Sequence, residues 1–291
     1  MPVRVLANLG GLVPVCGAEA EFMLAKRIGQ IASGFCKEIR GAFRCAANGT
    51  TVFRLLLDAV ARRAIGRVRV PMFNRERQVR FKGSTRLCYR LNRGDLQSIR
   101  EVWYEEAYRL PFDFDLRILV DLGANIGLTS VWLWKRYRCA RVVAIEPSTQ
   151  NARIARLNFE LNGLVGEVIE AAIGPRDGES LFEDSDDSNV GHVGSGSRVV
   201  RVMSMDTLFS RLPEDSVVDL VKMDIEGGEQ PLLEGDISWL SRVRALIVEF
   251  HPSVVDYGEL VGILQRAGFR YFPAGSVFPG NMDCFLRQQS S

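Results

Sequence analysis

The chain has 291 residues, of which 47% are hydrophobic, and 37 Lys and Arg stand against 35 Asp and Glu. That length and apolar content suit a soluble globular protein with one large domain, or one domain plus an elaboration, and exclude a disulfide-stapled mini-domain. The near-neutral balance conceals a division. Residues 1–100 carry 19 basic against 6 acidic side chains, whereas residues 101–291 carry 18 against 29.

The longest uncharged N-terminal run, Val5 to Ala18, is too short to span a bilayer, and Asn8, Gly10, Gly11 and Pro14 interrupt it, which makes a poor signal-peptide core. Six cysteines at positions 16, 36, 45, 88, 139 and 284 form no CxxC pair and no metal-ligand spacing. A reduced, cytoplasmic setting is expected. Residues 19–66 read as amphipathic helix, and "VRVPMFNRERQVRFKGSTRLCYRLNRGD" alternates like short antiparallel strands. Residues 1–93 are therefore expected to form a basic cap of helices and short antiparallel strands, and residues 94–291 a separate ligand-binding domain.

From about residue 115, apolar β-branched runs alternate with helical patterns. "RILVDLG", "RVVAIEP", "GEVIEAAIG", "SRVVRVMSMD", "VDLVKMDI" and "RALIVEFHP" read as strands, with content suited to burial on both faces in a parallel sheet. "LTSVWLWKRY", "TQNARIARLNFELN", "EQPLLEGDISWL" and "SVVDYGELVGILQRAGF" read as helices, with Ser148, Asp206 and Ser253 placed as N-caps. This is the pattern of a doubly wound α/β domain. The polar, glycine-rich stretch Glu183 to Gly196 interrupts it as a lid or a disordered tip.

"ILVDLGANIG" ends a strand on an acid and spaces two glycines four residues apart. Gly123 and Gly127 suit a tight turn that lets the backbone approach a ligand, and a helix starting near Leu128 offers its N-terminus to an anion. The dinucleotide pattern GxGxxG is incomplete, because Asn125 and Leu128 hold its second and third glycine positions. Asp121 is a poor neighbour for a pyrophosphate and a good one for an ammonium group. Glu146 ends the next strand, where an acid accepts both hydroxyls of a ribose. Together these features favour S-adenosylmethionine over a nicotinamide dinucleotide.

"VDLGANIGLTS", "VVAIEPSTQN", "VDLVKMDIEGGE" and "LIVEFHP", in this order, resemble the FkbM family of class I S-adenosylmethionine-dependent methyltransferases. "GDLQSIREVWYEEAY" looks like that family's lead-in helix, and the likeness covers roughly residues 94–252. The resemblance implies a Rossmann-like seven-stranded sheet with an antiparallel final hairpin, and O-methylation of sugars, glycolipids or polyketide-type natural products. It also implies cofactor contacts at Asp121, Gly123, Ala124, Asn125, Gly127 and Glu146, with Ala172 against adenine and Thr129 at the methionine carboxylate.

A sugar hydroxyl is a weak nucleophile and gains from a positioned base. The expected catalytic residues are His251, Asp224 and Glu226, all at strand ends, with Glu229 either touching substrate or starting a helix. Asp224, Glu226 and Glu249 also offer oxygen ligands to Mg²⁺, a minor alternative to a site without metal. Lys222 reads as the partner of a buried ion pair, Trp132 and Trp134 as core, and His192 as an exposed loop residue.

The basic first third pairs with the acidic remainder or attracts an anion. Its arginines are not interleaved with aromatics, which counts against a nucleic acid. Apolar helical faces bordered by Lys and Arg suit an anionic bilayer surface, so a glycolipid acceptor at the inner face of the membrane is expected. Rival readings are a nicotinamide-dependent oxidoreductase and a non-catalytic nucleoside-binding protein of the same fold.

Overall fold

The computed structural model describes residues 33–64, 73–183, 192–193, 196–251, 255–276 and 282–288. Helix α1 over residues 33–45 and α2 (Gly49–Ala64) precede a hairpin of β1 (Glu76–Phe81) and β2 (Thr85–Arg90), paired from Glu76 with Arg90 to Phe81 with Thr85. The expected helices and antiparallel strands of the N-terminal third are thus present over these residues. Residues 1–32 and 65–72, part of that expectation, lie outside the described residues. Next come α3 (Arg93–Ile99) and a π-helical turn, Arg100–Tyr104.

The central sheet uses β3 (Ile118–Leu122), β4 (Arg141–Ile145) and β5 (Gly166–Ile169) on one side, and β10 (Val218–Met223), β11 (Val243–Val248), β12 (Phe269–Phe272) and β13 (Asp283–Arg287) on the other. Its order is β12-β13-β11-β10-β3-β4-β5, and β13 alone runs antiparallel to its neighbours. The chain leaves β3 in one direction and returns to its other edge as β10, so the order reverses between them. Crevices at such reversals bind ligands at the carboxyl ends of the strands.

Burial follows the two-residue strand period. Leu119, Leu220, Ala245 and Ile247 face a core shared with the N-terminal third, while Val120, Val221, Leu246 and Val248 face a second core on the opposite side of the sheet. Helices α4 (Leu128–Tyr137) and α5 (Thr149–Asn162) coincide with the sequence expectation, as does the burial of Trp132. Trp134 is partly buried against the same core. Each of these two helices ends on a left-handed residue, Arg138 and Gly163. On the opposite face are α6 (Met205–Phe209), α7 (Glu229–Glu234) and α8 (Tyr257–Arg266).

Two strand expectations need correction. "GEVIEAAIG" breaks after Ile169: β5 stays in the central sheet, and β6 (Ala172–Ile173) enters a separate four-stranded sheet with β7 (Gly178–Glu183), β8 (His192–Val193) and β9 (Arg198–Met203). β9 is therefore not a doubly buried strand. Arg198 and Arg201 interrupt its valines and its burial alternates, whereas all six residues of β10 are buried. The caps also shift. Ser204, not Asp206, caps α6, and Asp256 caps α8. Ser253, most of the Glu183–Gly196 stretch and the His192 side chain lie outside what the structure describes.

The N-terminal third is bolted to the sheet domain by buried polar groups. Asn158 on α5 is fully buried; its Oδ1 accepts from Cys88 N at 2.6 Å, and its Nδ2 donates to Cys88 O at 2.9 Å and Ile126 O at 2.8 Å. Removing it would strand several buried backbone groups, each costing about 1–3 kcal/mol. Surface charge contributes much less here. Between α1 and the acidic residues beyond 100, the described ion pairs are Lys37–Glu105 at 3.7 Å and Arg44–Glu106 at 3.9 Å, both partly exposed. Among the described residues no helix is long and apolar enough to cross a membrane. The five described cysteines form no disulfide.

Candidate active site

A cavity of about 650 Å³ opens at the carboxyl ends of β3, β4, β10 and β11. The turn after β3 floors one end. Gly123 (φ 75°), Asn125 (φ 50°) and Gly127 (φ 76°) all lie in the left-handed region. The glycine requirement comes from packing as well as from torsion. A Cβ on Gly123 would stand 1.8 Å from Asp224 O, and one on Gly127 would press on Ala155 of α5 at 3.1 Å. At both positions the missing Cβ makes room for the protein's own chain, the residue after β10 at Gly123 and α5 at Gly127. Gly123, Ala124, Asn125 and Thr129 line the cavity; Gly127 does not.

Glu146 closes the turn from the end of β4. It is 5% exposed, and its Oε2 accepts from Asn125 N at 2.8 Å while Oε1 accepts from Ser148 N at 2.9 Å. Burial pushes its carboxyl up to about 7, against these hydrogen bonds. Beside it, Asn151 Oδ1 accepts from Arg90 Nη2 at 2.6 Å, and Asp95 grips the same guanidinium at 2.9 and 3.0 Å. Ala172 and Ala171 form the wall beyond.

Asp121 was expected at the ligand. It is instead fully buried behind the turn, accepts from Ser130 Oγ at 2.5 Å, and pairs with Lys222 Nζ at 3.1 Å. Lys222 is the residue that reaches the cavity, and its ammonium also donates to Gly123 O at 2.6 Å and lies 3.5 Å from Asp224 Oδ2. Burial opposes its charge, but the two carboxylates more than offset that and raise its pKa. The expected buried ion pair thus involves Asp121 as well as Asp224.

The other end of the cavity is made of side chains. Tyr108, a buried phenol, lies 3.3 Å from both Asp224 Oδ2 and Glu249 Oε2, which share its single hydroxyl proton. Burial, then the neighbouring Asp224, pushes Glu249 up to about 7. Glu226 is raised to about 7 by the same two causes, and Glu101 is raised by burial. Glu101 projects from the π-helical turn into this wall, and π-turns recur at functional sites. Sequence reading missed Tyr108, Glu101 and Arg90. Glu101 and Tyr108 lie within the stretch GDLQSIREVWYEEAY, but nothing local shows that they face the cavity; they and Arg90 reach it only through tertiary packing.

His251 stands just outside the lining. Its Nδ1 is 3.4 Å from Glu229 Oε1 and its Nε2 is 3.4 Å from Glu226 Oε2 and 4.0 Å from Asp224 Oδ1. The hydrogen bond to the Glu229 carboxylate raises its pKa to about 9, which weighs against His251 as the general base at neutral pH. Glu229 itself is fully buried, accepts from Ile225 N at 2.9 Å and Gly227 N at 2.8 Å, and touches no ligand space. It fixes the turn that starts α7.

The Methyltransferase FkbM domain matches residues 121–271, from the acid before the glycine turn into β12. The 31-O-demethyl-FK506 methyltransferase FkbM of Streptomyces tacrolimicus is 25% identical over 219 residues, covering 62% of this chain and 84% of that protein. The hexuronic acid methyltransferase AglP of Haloferax volcanii is 30% identical over 189 residues, covering 59% and 75%. A solved FkbM methyltransferase from Methylobacillus flagellatus KT aligns at 18% identity with a TM-score of 0.44, over 89% of this chain and 60% of that one. With its glycine turn, the carboxylates that follow β10, and β11 all inside a matched span of more than half its length, the chain belongs to the FkbM methyltransferase family.

Proposed function

We propose that the protein is an S-adenosylmethionine-dependent O-methyltransferase whose acceptor is a hydroxyl of a sugar on a glycolipid or glycosylated natural product. The observation that carries this reading is one continuous cavity lined at one end by the buried acid Glu146 and at the other by Asp224, Glu249 and Tyr108. The residues present fit the cofactor. Glu146 presents a carboxylate for two ribose hydroxyls, and Asn125 Oδ1 is a buried acceptor without a hydrogen-bond partner. The α4 N-terminus with Thr129 suits a carboxylate, and Ala172 suits an apolar base.

When bound, the cofactor's sulfonium supplies the methyl group for in-line transfer. The chain's task is then to align the hydroxyl, exclude water and take up one proton. Asp224 orients the hydroxyl, and Tyr108 fixes the Asp224 and Glu249 carboxylates with respect to each other. Glu249, poised near 7, is the group matched to accept the proton at neutral pH. Glu226 contributes a further acceptor for hydroxyls. The amino-acid part of the cofactor would meet the Lys222 side of the turn, with Asp121 acting through that lysine.

Isothermal titration with S-adenosylhomocysteine beside NAD tests the cofactor. Micromolar binding of the first and none of the second is expected; no binding of S-adenosylhomocysteine overturns the reading. Turnover against a panel of hydroxylated sugars and glycolipids then tests the acceptor.

A further inference from the structure

Five carboxylates line the cavity: Glu101, Glu146, Asp224, Glu226 and Glu249. The lining cations are Arg90, held by Asp95, and Lys222, which lies 3.1 Å from Asp121 and 3.5 Å from Asp224 Oδ2. Glu146 is served by backbone amides, and at the β10 and β11 end the lining cation Lys222 stands against four carboxylates, Glu101, Asp224, Glu226 and Glu249. Charge of one sign gathered in a low-dielectric crevice is costly unless a counter-ion enters.

At that end three donors of mixed type converge. One atom each of Asp224, Glu226 and His251 lies within 4.8 Å of the others, a spread that a small contraction brings to the ligand separations of a six-coordinate divalent ion. The histidine is oriented as a ligand would be. Its Nδ1 lies 3.4 Å from the buried Glu229, which two backbone amides lock in place, and its Nε2 is on the side of the two carboxylates, 3.4 Å from Glu226 and 4.0 Å from Asp224. A carboxylate behind a histidine is the usual outer support of a metal-bound imidazole.

We propose that Asp224, Glu226 and His251 form a divalent-cation site of the Mn²⁺ and Mg²⁺ class, with open positions toward the cavity for two neighbouring oxygens of the acceptor. Two carboxylates and one imidazole suit such an ion better than a thiophilic one. The trio replaces the Asp224, Glu226 and Glu249 set that the sequence suggested, because Glu249 is turned toward Tyr108. The site's use in catalysis rests on the methyl-transfer reading; its existence does not. Held by the ion, vicinal oxygens of a diol would be fixed beside Glu249, so the acceptor class is a molecule with adjacent oxygen donors.

The test is electron paramagnetic resonance of Mn²⁺ with the purified full chain. Loss of the free-ion signal at one equivalent is expected, with ¹⁴N modulation from a directly bound imidazole. His251→Gln should abolish that modulation and weaken binding at least tenfold, and Glu229→Gln should weaken binding while leaving the modulation. An unchanged free-ion signal, or bound Mn²⁺ without ¹⁴N modulation in the unmodified protein, overturns the proposal without recourse to any variant. Equal binding by the unmodified protein and both variants overturns it as well. S-adenosylhomocysteine titrated into the same samples separates the two readings: its binding with no Mn²⁺ uptake removes only the metal, and the reverse removes only the methyl-transfer reading.

Discussion

The two ends of the cavity are built differently. The β3–β4 end consists of backbone amides, a tight turn and one acid, all within residues 121–151, and Glu146 locks the turn through Asn125 N and Ser148 N. The β10–β11 end consists of side chains gathered from Glu101, Tyr108, Asp224, Glu226, Glu249 and His251, joined by tertiary packing across about half the chain. A contiguous backbone site suits a constant ligand, whereas a wall of separate side chains can vary without disturbing the turn. Lys222 bridges them, touching Asp121 and Gly123 on one side and Asp224 on the other.

If the ends are separable, their variants should fail separately. Glu249→Gln removes the proposed proton acceptor and should lower kcat by about 10²–10⁴ while leaving the affinity for S-adenosylhomocysteine unchanged, read from initial rates and titration. A loss confined to affinity would sink the division. Lys222→Met should break both ends at once. It leaves the Asp121 carboxylate buried and uncompensated, for a stability loss of about 3–5 kcal/mol read from urea unfolding, and the surviving folded protein should bind S-adenosylhomocysteine more weakly.

Glu146→Gln should act on the first end alone. Losing charge-assisted hydrogen bonds worth about 1.5–3 kcal/mol should raise the Kd for S-adenosylhomocysteine roughly 10- to 100-fold, and because the amide nitrogen would face one of the two backbone donors that lock the turn, stability should fall by about 1–3 kcal/mol. Unaltered affinity would remove Glu146 from the cofactor site. The smallest effect is the pH slope. Glu146 is raised from 4.5 to about 7 on folding, so the folded protein binds a proton more readily and this group's contribution to stability falls as pH rises from 4.5 to 7. A ligand that needs the ionised carboxylate shows the opposite slope. Affinity for S-adenosylhomocysteine should tighten as pH rises through 7 in the unmodified protein, and Glu146→Gln should flatten that rise.

Much of the first end is legible in the primary chain. Positive φ at positions 123 and 127 restricts them in practice to glycine, and the helix after Gly127 follows from its periodicity; α4 and α5 fall where their spacing places them. The meaning of Asp121 is less legible, because an acid at a strand end looks the same whether it faces a ligand or a buried lysine. His251 misleads for a similar reason. Strand position places it near the crevice, but its protonation depends on Glu229, which a turn of α7 brings to its Nδ1.

The sequence by itself determined the alternation of strands and helices, the glycine turn and the acid after β4, since each depends on torsional limits and hydrophobic periods expressed over a few residues. Only the tertiary structure decided that Tyr108, Glu101 and Arg90 complete the cavity, that β9 leaves the central sheet, and that Lys222 rather than Asp121 reaches the ligand space. Those outcomes depend on distances between segments up to about half the chain apart. The local pattern of residues carries no record of such distances; packing of two cores against one sheet sets them.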